Sequence, residues 1–217
     1  MLTCILIVML FRKGVPVMNV VTRIVTVPIL VALTACAPIQ KLQQVKLPPE
    51  RSYHRGFSLV PLNEAGWSIG QRDYNWLVLR RYGSSPDESY TIHTEVRGLP
   101  PLASPTEFIN VVKEDQIRGT DPSRFTVMKH EVVPYPRKGD YCARSYWMTE
   151  DRAAVKPTGG IHLLILEIIN LTCRHPASPN VAISVTYAHR HYQDHGDPAL
   201  PEKAEMLFES VEFRELK

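Results

Sequence analysis

The sequence predicts an α+β fold, a mainly antiparallel β-sheet flanked by two helices. Segments of alternating or β-branched apolar residues recur between Gly-rich and Pro-rich turns. Two other stretches instead have the apolar spacing of amphipathic helices. The connectors between neighbouring strands are short, which favours antiparallel pairing over crossover connections.

The composition excludes several classes of protein. The chain has 217 residues, of which 44% are hydrophobic and 22% are charged, so it is neither a disordered chain nor a polytopic membrane protein. Its 25 Lys and Arg residues exceed its 22 Asp and Glu residues only slightly. A nucleic-acid-binding protein usually has a stronger and clustered basic excess, so we expect no nucleic-acid partner.

The first 35 residues have the features of a cleaved signal peptide. They contain Arg12, Lys13 and Arg23 and no acidic residue, so they account for the whole formal charge of +3. The apolar run from Ile24 to Ala35 is shorter than the roughly 20 residues that a spanning helix needs. A positive segment followed by such a run predicts a signal peptide over residues 1–35.

The residues Leu33–Cys36 resemble the bacterial lipobox, in which an aliphatic residue and two small residues precede a cysteine. This resemblance to bacterial lipoproteins implies a diacylglyceryl group on the Cys36 sulfur, cleavage before Cys36, and anchoring in membrane lipid. In that family Asp after the cysteine favours the inner membrane, so Ala37 implies the outer membrane, with the domain in the periplasm. The alternative is an uncleaved apolar anchor with an incidental cysteine. Met18 begins a compact signal of the same type and can be the true start.

Residues 36–56 are polar and contain Pro48 and Pro49, which predicts a lipidated, flexible tether. A single periplasmic domain is then expected over residues 57–217. Its first strands are predicted at three segments, with a turn at Gly83–Pro86 after the second. These segments are 66–69, 76–79 and 90–96.

The first helix is predicted from a capping box. Ser104 and Glu107 are spaced so that each side chain can bond a free backbone N–H, and Pro105 suits the first helical position. An apolar stripe beginning at Phe108 follows, and Gly119 can end the helix.

The second half of the domain predicts four strands and a final helix. The strands are 125–133, 140–149, 162–174 and 181–187. The helix is predicted from apolar residues at helical spacing, which are Ala204, Leu207, Phe208 and Val211.

Cys142 and Cys173 are predicted to form a structural disulfide. They are the pair that remains when Cys4 is removed with the signal peptide and Cys36 is lipidated, and an oxidising compartment favours their pairing. A hairpin of the strands 140–149 and 162–174 brings the two residues close to opposite each other. The alternative is two buried free thiols.

The order of strands, helix, four strands and helix resembles the PsbP/Mog1-like fold, over about residues 57–213. Members of that group are mostly non-enzymatic accessory or partner-binding proteins. The resemblance depends on element order and implies no functional residue.

The cluster His189, His191 and His195 is a candidate metal site. Strand geometry places His189 and His191 on one face, and imidazoles are ligands of Zn²⁺ and Cu²⁺. The run resembles the HxHxDH box of metallo-β-lactamases, but Asp194 is displaced by one residue. The alternative interpretation is a solvated strand end rich in polar residues.

Four aromatic residues, Trp67, Trp76, Tyr146 and Trp147, could form either a binding surface or part of the core.

No cofactor or nucleophile motif occurs, so we expect neither a cofactor nor an enzyme. Three hypotheses follow. The chain is a lipid-anchored binding or assembly module that contacts another envelope protein or a ligand, a metal-binding protein or metal-dependent enzyme, or a structural outer-membrane lipoprotein.

Overall fold

The computed structural model describes residues 42–160 and 162–216. The predicted signal peptide, Cys36 and residues 37–41 lie outside the described residues. The helices are α1 (Pro105–Arg118) and α2 (Leu200–Glu209), and a 3-10 turn spans Pro136–Lys138. The strands are β1 (Gln43–Gln44), β2 (Ser52–His54), β3 (Phe57–Leu59), β4 (Ser68–Arg72), β5 (Trp76–Tyr82), β6 (Ser89–Gly98), β7 (Phe125–Pro134), β8 (Cys142–Asp151), β9 (Leu164–His175), β10 (Ser178–Tyr192) and β11 (Glu212–Phe213).

The main sheet has eight strands in the order β1-β4-β5-β6-β10-β9-β8-β7. Every neighbouring pair is antiparallel. The predicted α+β class, with a mainly antiparallel sheet and two helices, is therefore confirmed. Each predicted strand is present, and β10 extends beyond the predicted 181–187 at both ends.

A second sheet of three strands, in the order β11-β3-β2, was not predicted. Its strand β2 lies within the segment 36–56 that was expected to be a tether. Ser52 and His54 are buried there, and their side chains satisfy each other through a 2.9 Å hydrogen bond from Ser52 Oγ to His54 Nε2. The folded unit therefore begins before residue 57. A polar segment such as this one can be buried when its polar atoms are hydrogen-bonded to each other.

The helix α2 covers one face of the main sheet. Alternate residues of β9 and β10 point to this face, and the buried cluster there also includes Phe57 and Leu59 of the second sheet. The residues of α2 in this cluster are Leu200, Ala204, Leu207 and Phe208. Because strands alternate, the intervening residues of β9 and β10 point to the opposite face.

The helix α1 packs on that opposite face. The Ser104 hydroxyl accepts from the Glu107 N–H at 3.2 Å, as the capping box predicts. The Glu107 carboxylate accepts from the Ala103 N–H rather than from Ser104. Phe108 and Val112 are buried with residues of β8 and β10, and Gly119 ends the helix in a right-handed conformation.

The disulfide between Cys142 and Cys173 is present. The two residues are direct partners in the β8–β9 ladder, and their Cα atoms lie 4.1 Å apart. The prediction of a structural disulfide is confirmed, and the bond closes the hairpin beside the core under α2.

Candidate functional site

The three histidines predicted as metal ligands lie at one end of β10. His189 and His191 share the face that α2 covers, as strand alternation predicts, and each is only 2% exposed. His195 follows in the turn after β10. The strand end is therefore buried rather than solvated.

The ring of His189 is stacked between two other rings. It lies 4.0 Å from Tyr90 and 4.5 Å from His191, measured between ring centroids. Its Nδ1 atom is buried and has no hydrogen-bond partner in the described residues. Burial, followed by the nearby positive charge of His191, lowers the pKa of His189 to about 4, so the ring is neutral at pH 7.

The ring of His191 is held at both nitrogens. Its Nδ1 lies 2.6 Å from the Tyr192 carbonyl oxygen and its Nε2 lies 3.1 Å from Glu167 Oε1. The Tyr146 hydroxyl also donates to Glu167, at 3.1 Å. Burial lowers the pKa of His191, but the bonds to Glu167 and Tyr192 outweigh it, so the pKa is raised. The bond from His191 lowers the pKa of Glu167.

The ring of His195 contacts a different carboxylate. Its Nδ1 lies 2.5 Å from Glu88 Oε1, and Glu88 is buried and also accepts from the Ser84 hydroxyl. The three imidazoles thus have different partners: His191 contacts Glu167, His195 contacts Glu88, and His189 lies in a stack of rings. Within residues 42–160 and 162–216, no group of three or more His, Cys, Asp or Glu residues is placed to hold a metal ion. The metal site stays a prediction.

The predicted aromatic surface is divided between core and solvent. Trp67 and Trp147 are buried, whereas Trp76 on β5 is 38% exposed. The Tyr146 hydroxyl is hydrogen-bonded to Glu167. Trp76 is therefore the most exposed of the three tryptophans.

A groove of about 500 Å³ lies beside α1, on the sheet face opposite α2. Residues from β6, β8, β9 and β10 line it, and the end of α1 together with Phe125 forms one wall. Its volume lies within the range of small-molecule sites, roughly 300–1,000 Å³.

The floor of the groove is a connected set of amide and hydroxyl groups. The Asn170 amide donates to the hydroxyls of Ser184 and Thr186, each at 2.7 Å. The Thr172 hydroxyl donates to Asn170 Oδ1, also at 2.7 Å. The Ser184 hydroxyl can donate to Thr172 Oγ1, which lies 3.4 Å away. Thr186 accepts from Asn170, and its own O–H group can donate towards the groove.

The charged residues of the groove are mostly paired with each other. Arg97 lies 2.5 Å from Asp115, which also contacts Arg118 at 2.6 Å. Glu95 makes no hydrogen bond or ion pair with the described residues. Burial lowers the pKa of His93, so this ring is neutral at pH 7.

Sequence reasoning missed this groove, although a local signal existed. Polar residues alternate with apolar ones within strands that are otherwise apolar, at Asn170 and Thr172 on β9 and at Ser184 and Thr186 on β10. Such a pattern indicates that one face of the strand pair is polar. The pattern does not indicate whether a helix covers that face.

A larger cleft of about 970 Å³ borders the second sheet. The histidines that line it hold strands together: His54 Nδ1 lies 3.1 Å from the Asp73 carbonyl oxygen, and His175 Nε2 lies 3.1 Å from that of Gly56. We favour the groove beside α1 as the functional site, because its floor presents hydroxyl groups that the fold does not fully use.

No protein-family model and no curated protein matches this chain. No helix in the part of the chain that the structure describes is long and apolar enough to cross a membrane.

Proposed function

We propose that this chain is a lipid-anchored protein of the bacterial cell envelope that binds a ligand without chemistry, in the groove beside α1. The observation that carries the proposal is the polar floor of Asn170, Thr172, Ser184 and Thr186 on a sheet face that α1 leaves open.

The polar floor of the groove differs from the opposite face of the same sheet. The middle of an eight-stranded sheet is a position where apolar residues pack against a covering helix, as they do under α2. The groove face instead carries side chains with spare hydrogen-bonding capacity. A few placed polar groups in a concave surface are the usual composition of a ligand site.

The non-enzymatic part of the proposal rests on the histidines. His191 and His195 each engage a carboxylate, Glu167 and Glu88, and lie away from the groove. His191, Glu167 and Glu88 have these bonds as their polar contacts in the interior, while the His195 side chain is half exposed.

The anchoring part rests on the sequence. The lipobox-like residues Leu33–Cys36 support acylation of Cys36, and stable anchoring needs two or more acyl chains. Few residues separate Cys36 from β1 at Gln43–Gln44, so the folded unit would be held close to the membrane surface.

In-cell photocrosslinking tests the binding function. A photoreactive amino acid replaces Phe125 in the wall of the groove, and in a control chain it replaces the exposed Glu202 on α2. We expect a crosslinked adduct of higher mass from position 125 and not from position 202. The absence of an adduct at position 125, or equal adducts at both positions, would overturn the proposal.

A further inference from the structure

We propose that the ligand of the groove is a neutral oligosaccharide, which stacks on Trp76 and hydrogen-bonds to Glu95 and to the hydroxyls of Ser184 and Thr186. This inference rests on the proposed binding function and names the class of ligand.

An exposed aromatic ring, Trp76, lies beside Glu95, which lines the groove. Trp76 on β5 is the direct partner of Glu95 on β6, and directly opposed residues in an antiparallel pair share a face. A sugar ring presents an apolar C–H face bordered by hydroxyl groups. The Trp76 ring can cover the apolar face while Glu95 accepts from two adjacent hydroxyls.

The floor supplies the complementary hydrogen-bonding groups. Ser184 and Thr186 are half-buried. The Thr186 hydroxyl can donate to a ligand, whereas Ser184 contacts Thr172 at 3.4 Å and offers its oxygen as an acceptor. Sugar hydroxyls can both donate and accept. Asn170, on the neighbouring strand, holds both side chains by hydrogen bonds, so the floor is organised before a ligand binds.

The charge of the groove disfavours an anionic ligand. The described lining residues include one cationic side chain, Arg97, and Asp115 already neutralises it at 2.5 Å. A carboxylate or phosphate ligand would therefore meet Glu95 without a free cation to balance it. A wholly apolar ligand would strip water from the hydroxyls of the floor without replacing their hydrogen bonds.

Calorimetric titration of the full-length protein in mild detergent tests the inference. The probes are chitotetraose, cellotetraose and maltotetraose, with trigalacturonate and tetralysine as charged comparators. We expect at least one neutral tetrasaccharide to bind, with an affinity that changes little between low and high salt. Trp76→Ala and Glu95→Gln should each weaken that binding by about tenfold or more.

Tyr82→Ala is the matched control, because Tyr82 is an exposed aromatic at the other end of β5 and lies outside the groove. Its titration should equal that of the wild type. Thermal unfolding of each variant checks that the fold is retained.

The inference is overturned if no neutral tetrasaccharide binds, if only a charged probe binds, or if Trp76→Ala leaves the affinity unchanged. Crosslinking separates these results from a failure of the binding function. A protein adduct at position 125 together with empty sugar titrations would retain the function and discard the oligosaccharide. Empty results in both experiments would discard both.

Discussion

The side-chain amide of Asn170 donates to the hydroxyl of Thr186 at 2.7 Å, across two strands in the middle of the main sheet. This bond joins the fold to the candidate site, because Asn170 is buried and Thr186 faces the groove. The same amide also holds Ser184. The orientation of the groove hydroxyls thus depends on one residue of the neighbouring strand.

Replacing Asn170 should lower the stability of the sheet. Asn170→Ala removes its three side-chain hydrogen bonds and should decrease the free energy of unfolding by about 2 kcal/mol, measured by urea denaturation. Asn180→Ala, at an exposed position of β10, is the control and should change it by less than about 0.5 kcal/mol. Equal effects of the two substitutions would contradict this role of the amide.

Asp151 should be among the most sensitive charged residues. Its buried carboxylate pairs with Arg124 at 2.8 Å and with Arg190 at 3.0 Å. Asp151→Ala leaves both cations unpaired and should reduce the free energy of unfolding by about 3 kcal/mol. The exposed pair of Lys129 and Glu131 provides the comparison, since Glu131→Ala should cost less than about 0.5 kcal/mol. A similar small loss for Asp151→Ala would show that its ion pairs add little.

Acid should destabilise the fold through His189. The pKa of His189 falls to about 4 in the folded state, so below about pH 6.5 the unfolded chain binds a proton that the folded chain does not. His189→Phe keeps an aromatic ring in the stack and removes this proton. From about pH 7 to about pH 5, the stability of the variant relative to the wild type should rise by on the order of 2 kcal/mol.

His191 works in the opposite direction, because its raised pKa stabilises the fold at low pH and loses that effect as the pH rises. Comparing His189→Phe with the wild type at each pH isolates the contribution of His189. His162→Phe, at an exposed position, is the control and should follow the wild type. A constant difference between His189→Phe and the wild type across this pH range would refute the prediction.

The disulfide should stabilise the folded unit substantially. Cys142 and Cys173 lie 31 positions apart. Closing a loop of that length lowers the entropy of the unfolded chain, which should raise the free energy of unfolding by about 3–4 kcal/mol. Adding a reductant should lower the denaturation midpoint of the wild type. The variant carrying Cys142→Ala and Cys173→Ala should show no response to reductant, and an equal response would mean that the reductant acts elsewhere.

The sequence predicted those elements whose signals are local. Alternation identified β6 and β7, and runs of apolar and aromatic residues identified β8 to β10. The capping residues Ser104 and Glu107 identified the start of α1. The strands β2 and β3 were missed because three residues are too short for a periodic pattern. They form through pairing with each other and with β11, which is distant in sequence.

The site was less predictable than the fold. The spacing of His189 and His191 correctly placed them on one face, but only the tertiary structure shows that their partners are Tyr90 and Glu167. Predicting the groove would require knowing which part of the sheet α1 leaves open. No local pattern of residues contains that information.

Native mass spectrometry of the full-length protein, extracted from its own membrane in mild detergent, tests whether the groove beside α1 holds a ligand. The wild type should carry an added mass beyond acylated Cys36, and a variant with Trp76→Ala and Thr186→Val should lack that added mass. Tyr82→Ala should retain it. A wild-type protein without added mass, or the same addition on the groove variant, would contradict the assignment of the groove as the binding site.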